Sequence, residues 1–258
     1  MTDNTGPGKA LSETLSRIHE RNWFYRFDLP DGTSTASYLP QSAAAVHETR
    51  LQMMQSVLRP ELAKGPMTAL DMASHQGWFS VELAKLGCKK VVGFEPRDSH
   101  VDDARLICGA LGLDQIEFVQ TDIDGLKETA IEPADIVIAM GLIYHLENPV
   151  AAIRAARAYC RHVCLIETQV GPHVTGMLDW GSHEFVRPMQ GVFTVIDETD
   201  ETHGPEASTQ GICLAPSTET LLWVMRKVGF RDVALVEVPT DGYEQHRHGK
   251  RVMAVGYV

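Results

Sequence analysis

The sequence predicts an α/β domain built on a mostly parallel seven-stranded sheet whose last strand runs antiparallel, with an N-terminal helical arm and an insertion after the fifth strand. Three observations lead there. From Met67 onward, short apolar runs alternate with amphipathic stretches spaced by three and four, the pattern of βαβ units. The first run, Thr68 to Met72, passes through a turn of small residues into a helix. Acidic residues mark the ends of successive runs: Asp71, Glu95 and Asp122. In open sheets the carboxyl ends of the strands surround one crevice, which brings such acids to a common edge.

The elements follow in order. Residues 1–10 read as a disordered tail, because Met1 to Gly8 lacks the basic-then-apolar layout of a secretory signal. Residues 11–66 form a helical arm or cover. Leu11, Leu15 and Ile18 recur at helical spacing over Leu11 to Arg21. An aromatic run, Trp23-Phe24-Tyr25-Arg26-Phe27, precedes the turn Leu29-Pro30-Asp31-Gly32. Trp23 and Tyr25 either line a substrate pocket or anchor the arm. A second helix is expected from Ser42 to Leu58, with Val46, Leu51, Met54 and Leu58 inward. Pro60 and Gly65-Pro66 then separate the arm from the domain of residues 67–258.

Within that domain, strands are expected at Thr68–Met72, Lys90–Phe94, Ile116–Gln120, Asp135–Met140, His162–Glu167, Asp232–Val238 and Arg251–Tyr257. Helices are expected at Gly77–Leu86, Ser99–Leu111, Pro149–Tyr159 and Ser217–Val228. Gly87 suits a helix stop and Pro149 a first turn. Residues 169–215 break the rhythm. They are rich in Gly, Pro, His and acids, including Asp197-Glu198-Thr199-Asp200-Glu201, and read as an insertion over the active edge.

Composition narrows the function classes. A chain of 258 residues, 44% hydrophobic and 22% charged, has the profile of a soluble globular protein, and it holds no apolar run of membrane-spanning length. The net charge of −11 favours a small-molecule partner over a nucleic-acid backbone. Five cysteines, an odd number set mostly in apolar patterns, point to reduced thiols and a cytoplasmic setting. The histidines His173, His183, His203, His246 and His248, even with Asp179 and Glu184, match no compact ligand spacing, so no metal is expected.

The turn Asp71-Met72-Ala73-Ser74-His75-Gln76-Gly77 lets backbone approach a ligand and opens on the free N–H groups of a helix. Glu95, 18 residues beyond Gly77, is placed to accept ribose hydroxyls, and Asp122 an adenine amino group. Together with Ala139-Met140-Gly141-Leu142-Ile143-Tyr144-His145-Leu146, this layout resembles the class I S-adenosylmethionine-dependent methyltransferases. The Gly-Leu-x-Tyr-His stretch with Asn148-Pro149 is similar to the branch that includes the tRNA wobble-uridine oxyacetic-acid methyltransferases and their small-molecule relatives. The resemblance implies a Rossmann-like fold with S-adenosyl-L-methionine as cofactor and S-adenosyl-L-homocysteine as product. It implies a cofactor site of Asp71, Ala73, Ser74, Gly77, Glu95, Pro96, Asp122, Ile123, Met140 and Gly141. Ala73 departs from it, since members usually carry glycine there.

Methyl transfer needs an in-line nucleophile, and a base only where the acceptor loses a proton. His145 is the candidate base, or else fixes its loop. Tyr144 either assists or packs in the core. Glu167 either binds an acceptor amine or hydroxyl or bridges loops. His173 and Trp180 join Trp23 and Tyr25 as substrate candidates, with Phe185 and Trp223 as further apolar wall, although Trp223 is most simply core. The expected activity is methyl transfer to O, N or S of a small-molecule acceptor. Modification of tRNA and a non-catalytic cofactor-binding role are the alternatives. A homodimer, with the arm closing over a neighbour's site, stands open beside a monomer.

Overall fold

The computed structural model describes residues 7–179, 181, 186–198, 208 and 211–258. Two helices come first, α1 (Pro7–His19) and α2 (Gln41–Leu62). The alternating part runs β1 (Thr68–Met72), α3 (Trp78–Lys85), β2 (Lys90–Glu95), α4 (Asp98–Leu111), β3 (Ile116–Gln120), β4 (Ala134–Met140), α5 (Pro149–Tyr159) and β5 (Cys160–Gln169). Then come β6 (Gly176–Leu178), β7 (Arg187–Met189), β8 (Phe193–Asp197) and β9 (Ile212–Pro216). The chain closes with α6 (Thr218–Lys227), β10 (Arg231–Leu235), α7 (Glu244–Arg247) and β11 (Arg251–Tyr257).

The main sheet has seven strands in the order β10-β11-β5-β4-β1-β2-β3. β1 to β5 are parallel, and β11 is antiparallel to both β5 and β10. The order reverses between β1 and β4, so the crevice of an open sheet opens at their carboxyl ends. Strand residues alternate between two cores. Ala69, Val91, Ile136, Ile138, Leu165 and Met253 pack under α1 to α4. Leu70, Phe94, Val137, Ala139, Ile166 and Ala254 pack under α5 and α6. Burying each of the larger side chains among these contributes about 1.5–3 kcal/mol, so both faces lock the strand ends in place.

Three boundaries differ from expectation. The first helix begins at Pro7, a residue suited to the first helical position, so residues 7–10 are helical and only residues 1–6 of the expected tail lie outside the described residues. α2 continues through Pro60 to Leu62. A proline in the last turn forfeits one backbone hydrogen bond, and buried Leu58 and Glu61 hold the helix on the domain regardless. The insertion is also more ordered than its composition suggests: β6 pairs with β7, and β8 with β9, as two antiparallel ribbons.

Candidate active site

The turn after β1 is held in an unusual backbone. Ala73 (φ 55°), His75 (φ 52°) and Gly77 (φ 80°) are all left-handed, a region costly for side chains other than glycine. Ser74 N–H donates to the Phe94 carbonyl at 2.9 Å, and Gly77 N–H to the Ser74 carbonyl at 2.8 Å. Gly77 has a second constraint, since a Cβ there would lie 2.7 Å from the Phe118 ring. Beneath the turn, Asp71 is buried and accepts from Ser80 Oγ at 2.7 Å. Burial pushes its carboxyl up to about 7, against the Ser80 hydrogen bond and with the nearby Glu95 charge adding to the rise. Ser74 Oγ is buried with no hydrogen-bond partner.

Glu95 ends β2 beside this turn. It accepts from His75 N–H and Arg97 N–H, each at 3.1 Å. Burial alone would raise its carboxyl. His100, whose Nδ1 lies 3.6 Å away, the His75 charge and the Arg97 N–H outweigh that and hold it below the ordinary glutamate value. A carboxylate offers about four lone-pair directions, so two hydroxyls can still be accepted. Asp122, beyond the end of β3, is exposed and caps Gly125 N–H at 2.7 Å. Pro96 is exposed next to Glu95, and Ile123 packs on the second core. Adjacent buried acids, the unpartnered Ser74 Oγ and a left-handed cradle are a donor set that fits the nucleoside and amino-acid ends of the expected cofactor.

The arm is fastened over the turn by Gln76. Its amide oxygen accepts from Phe24 N–H at 2.8 Å, and its nitrogen donates to the Asn22 carbonyl and to Asp103, both at 2.9 Å. Arg21 pairs with the same Asp103, and Trp78 Nε1 donates to the Arg26 carbonyl at 3.1 Å. Trp23 is fully buried, with its indole N–H on the Ile18 carbonyl at 2.8 Å. It therefore anchors the arm and does not line a pocket. Tyr25 is buried too, stacked on Trp78 at 5.5 Å and set against His47 at 4.6 Å.

The other half of the edge lies at β4, β5 and β11. Met140 ends β4 buried, and Gly141 follows with φ 79°. Glu167 on β5 is fully enclosed. Arg50 Nε lies 2.8 Å from its Oε2, and Arg251 Nε donates to its Oε1 at 2.7 Å. His246 Nε2 lies 3.0 Å from Oε1. Burial would raise this carboxyl, but the two guanidiniums hold it well below the usual range. The expectation that Glu167 touches an acceptor is thus corrected: its oxygens are taken up in fixing two arginines and a histidine. Tyr144 is buried, and its hydroxyl accepts from Arg251 Nη2 at 3.3 Å. Its ring packs under the Arg251 guanidinium, 5.0 Å from the ring centre. Thr49 Oγ1 accepts from Tyr243 N–H at 2.7 Å, locking α2 beside α7 and so Arg50 beside His246.

His145 stands at the rim, with Nδ1 2.8 Å from Glu198 Oε2. Glu198 is buried and also accepts from Ser208 N–H at 2.8 Å and the Cys213 thiol at 3.2 Å. Burial would raise Glu198, but the His145 hydrogen bond and charge hold it below the ordinary value. A carboxylate on Nδ1 favours the Nδ1–H tautomer and makes Nε2 the basic nitrogen.

Other candidates are not gathered here. His173 is exposed and pairs with Glu219 at 2.5 Å, beside the start of α6. Trp223 is 39% exposed under Lys227 and so is not core. Trp180, His183, Glu184, Phe185 and His203 lie outside the described residues. Among the described residues, no cluster of three or more His, Cys, Asp or Glu could hold a metal. All five cysteines are buried and unbridged, and burial pushes Cys88 and Cys108 up to about 12. Sequence reasoning missed Arg50, His47 and Arg251, whose only signal was polar type at inward helical or strand positions. Glu198 lay in an acidic run that read as loop.

A family model described as a methyltransferase domain matches residues 45–235. Comparison with curated protein sequences gives no match. Solved structures with similar folds include the N-terminal domain of EvdMO1, crystallised with SAH and D-fucose, at 15% identity and TM-score 0.69, covering 100% of both chains. An S-adenosylmethionine-dependent methyltransferase from Mesorhizobium loti is 15% identical, with TM-score 0.53, over 81% of this chain and 100% of that one. A 1,6-didemethyltoxoflavin-N1-methyltransferase from Burkholderia thailandensis, bound to 1,6-didemethyltoxoflavin and S-adenosylhomocysteine, is 12% identical, with TM-score 0.52, over 100% of this chain and 92% of that one.

Proposed function

Since the chain belongs to the methyltransferase-domain family, we propose that it transfers a methyl group from S-adenosylmethionine to a hydroxyl oxygen of a small-molecule acceptor. The observation that carries the choice of oxygen is the His145–Glu198 pair at the rim beyond β4, a base with its orienting carboxylate 2.8 Å away. A hydroxyl must lose a proton as it is methylated, and a positioned histidine is suited to take it. Two structural neighbours were crystallised with a demethylated cofactor and a small molecule, D-fucose or 1,6-didemethyltoxoflavin, which supports a small acceptor. The net charge of −11 agrees.

S-adenosylmethionine supplies an electrophilic methyl carbon on a sulfonium. Glu95 accepts the ribose hydroxyls, and Asp71 lies below the turn that receives the methionine end. Asp122 and Ile123 flank the base. His145 Nε2 takes the acceptor proton while Glu198 holds the ring. With the cofactor bound, the acceptor oxygen would bond to the methyl carbon while the carbon–sulfur bonding pair would pass to sulfur, leaving a neutral thioether.

The test has two parts. Calorimetry with S-adenosylmethionine and S-adenosylhomocysteine should register binding, and heat from neither would sink the reading. Labelled cofactor incubated with cell extract should give a methylated small molecule by mass spectrometry. With that acceptor, His145→Ala should lower kcat about 10²- to 10⁴-fold with cofactor affinity nearly unchanged. An equal loss in both would make His145 a loop-fixing residue.

A further inference from the structure

One hydrogen bond fixes less of His145 than a base needs. The contact of Nδ1 with Glu198 selects a tautomer. It leaves the imidazole able to pivot about the line joining the two atoms. A contact on the ring face stops that pivot. The Tyr144 ring lies against the His145 ring, with centroids 4.0 Å apart and planes tilted by 37°. Both residues belong to one 3₁₀ turn, Ile143–His145, in which His145 N–H donates to the Leu142 carbonyl at 3.1 Å.

Tyr144 is itself pinned from the sheet. It is buried, and Arg251 Nη2 donates to its hydroxyl at 3.3 Å. The fork of Arg251 has little freedom, because Nε and Nη2 also donate to the two oxygens of Glu167, at 2.7 and 3.4 Å. Strand register sets this up. Arg251 on β11 pairs with Gln169 on β5, two residues from Glu167, so both charged side chains lie on one face of the sheet. A buried ion pair is weak evidence for stability, since apolar packing of the same volume does as well. What a well-bonded polar network supplies is rigidity. Here that rigidity runs from Glu167 through Arg251 and Tyr144 to the imidazole. From the opposite side come Glu198 and, behind it, Ser208 N–H and the Cys213 thiol. The sheet thus holds the plane of the ring, and the insertion holds its tautomer.

On the methyltransferase reading above, with His145 as the base, we propose that Tyr144 and Arg251 are its positioning residues: the guanidinium fixes the phenol, and the phenol ring is a platform that keeps the imidazole on Glu198 with Nε2 left for the acceptor hydroxyl. Arg251 acts only through Tyr144, so cutting both ends of that link costs no more than cutting one.

The test reads the imidazole directly and needs no acceptor. The full chain, with ¹³C- and ¹⁵N-labelled histidine, is titrated by NMR, and His145→Gln assigns the His145 signals. Neutral wild-type His145 should hold the Nδ1–H tautomer about tenfold or more over Nε2–H, as a charge-assisted bond to Glu198 dictates. Tyr144→Leu removes the platform, and the ratio should fall several-fold. Tyr144→Phe keeps the ring and loses only the tether to Arg251, so its ratio should lie between. Arg251→Lys keeps a charge beside Glu167 but not the fork. It should match Tyr144→Phe, and so should the double variant, because the two residues act in series. With the acceptor found by labelled cofactor, Tyr144→Leu should lower kcat about 10- to 100-fold, the cost of a misplaced base, with KM nearly unchanged. A wild-type tautomer ratio in Tyr144→Leu with a cooperative melting profile overturns the proposal. If Tyr144→Leu does not fold, a wild-type ratio in Tyr144→Phe overturns it instead. Additive losses in the double variant overturn the series through Tyr144. Cofactor binding with an unmoved tautomer overturns this inference alone. Wild-type protein that binds neither S-adenosylmethionine nor S-adenosylhomocysteine overturns the methyltransferase reading, and the role of the base with it.

Discussion

The two halves of the crevice are built in different ways. At β1 to β3, the acids and the turn come from one stretch, residues 71–122, and neighbouring strands deliver them in sequence order. At β4, β5 and β11, the site draws on residues 50, 141–145, 167, 198, 246 and 251, brought together only by the finished fold. The first half relies on backbone: left-handed turns, N–H groups and close glycine contacts. The second relies on buried charge. The first half is thus set by local backbone geometry, and the second by charges that meet only across the finished fold. The two should therefore fail differently when cut.

The largest effect is expected where the acceptor half keeps its charge balance. Glu167→Ala would leave Arg50 and Arg251 as unpaired charges in the core. Breaking a buried pair from one side costs about 3–5 kcal/mol. Urea unfolding should shift to lower midpoint with an unchanged slope. A loss under about 1 kcal/mol would show that water reaches the cluster and that the site is not built on buried charge.

The next effect belongs to the cofactor half. Glu95→Ala removes a carboxylate that accepts two backbone N–H groups and, on the proposed function, the ribose hydroxyls. Hydrogen bonds to a charged group are worth about 1.5–3 kcal/mol each. Cofactor affinity should drop at least about 10- to 100-fold by calorimetry. Wild-type affinity in this variant would move the cofactor away from β2.

The same contrast explains what was legible in the sequence. The strand runs, the turn and Glu95 could be read because period-two and helical patterns are local, and five parallel strands follow from βαβ connections. Trp23 was read as possible pocket wall because aromaticity alone does not separate lining from anchoring; the indole bond to Ile18 decides it. Arg50 and His47 were invisible because an inward polar residue on a helix gains meaning only from the strands it meets. Glu198 meets His145 across a separation of 53 residues, through an insertion whose ribbons the composition did not announce.

Asp71 offers a smaller, pH-dependent contrast. Its carboxyl is raised from 3.8 to about 7 in the fold, so the folded state holds its proton more tightly than the unfolded chain does. This contribution favours folding fully below about pH 4 and is lost as pH rises through about 7, a difference on the order of a few kcal/mol at most. Asp71→Asn cannot ionise and should still accept from Ser80 Oγ. Its melting temperature should equal wild type near pH 4 and exceed it at pH 8, in cofactor-free protein. The cationic cofactor favours the ionised form, so wild-type affinity should climb through the same window while that of the variant stays flat. Identical melting at both pH values would show Asp71 ionised throughout.

The smallest effect concerns strain in the cradle. Ala73 holds φ 55°, a region that costs a non-glycine residue about 1–2 kcal/mol. Ala73→Gly removes that cost in the folded state but gives the unfolded chain more freedom, which offsets up to about 1 kcal/mol. The variant should therefore be more stable by a fraction of a kcal/mol to about 1 kcal/mol. Cofactor binding should change little if the turn is already in its working shape, because the left-handed geometry is imposed by Ser74 N–H on Phe94 and Gly77 N–H on Ser74. If the variant instead binds cofactor markedly better, strain at 73 opposes the bound shape, and the turn must rearrange when ligand arrives. That outcome would make the cofactor half a surface that takes its final form only with its ligand in place.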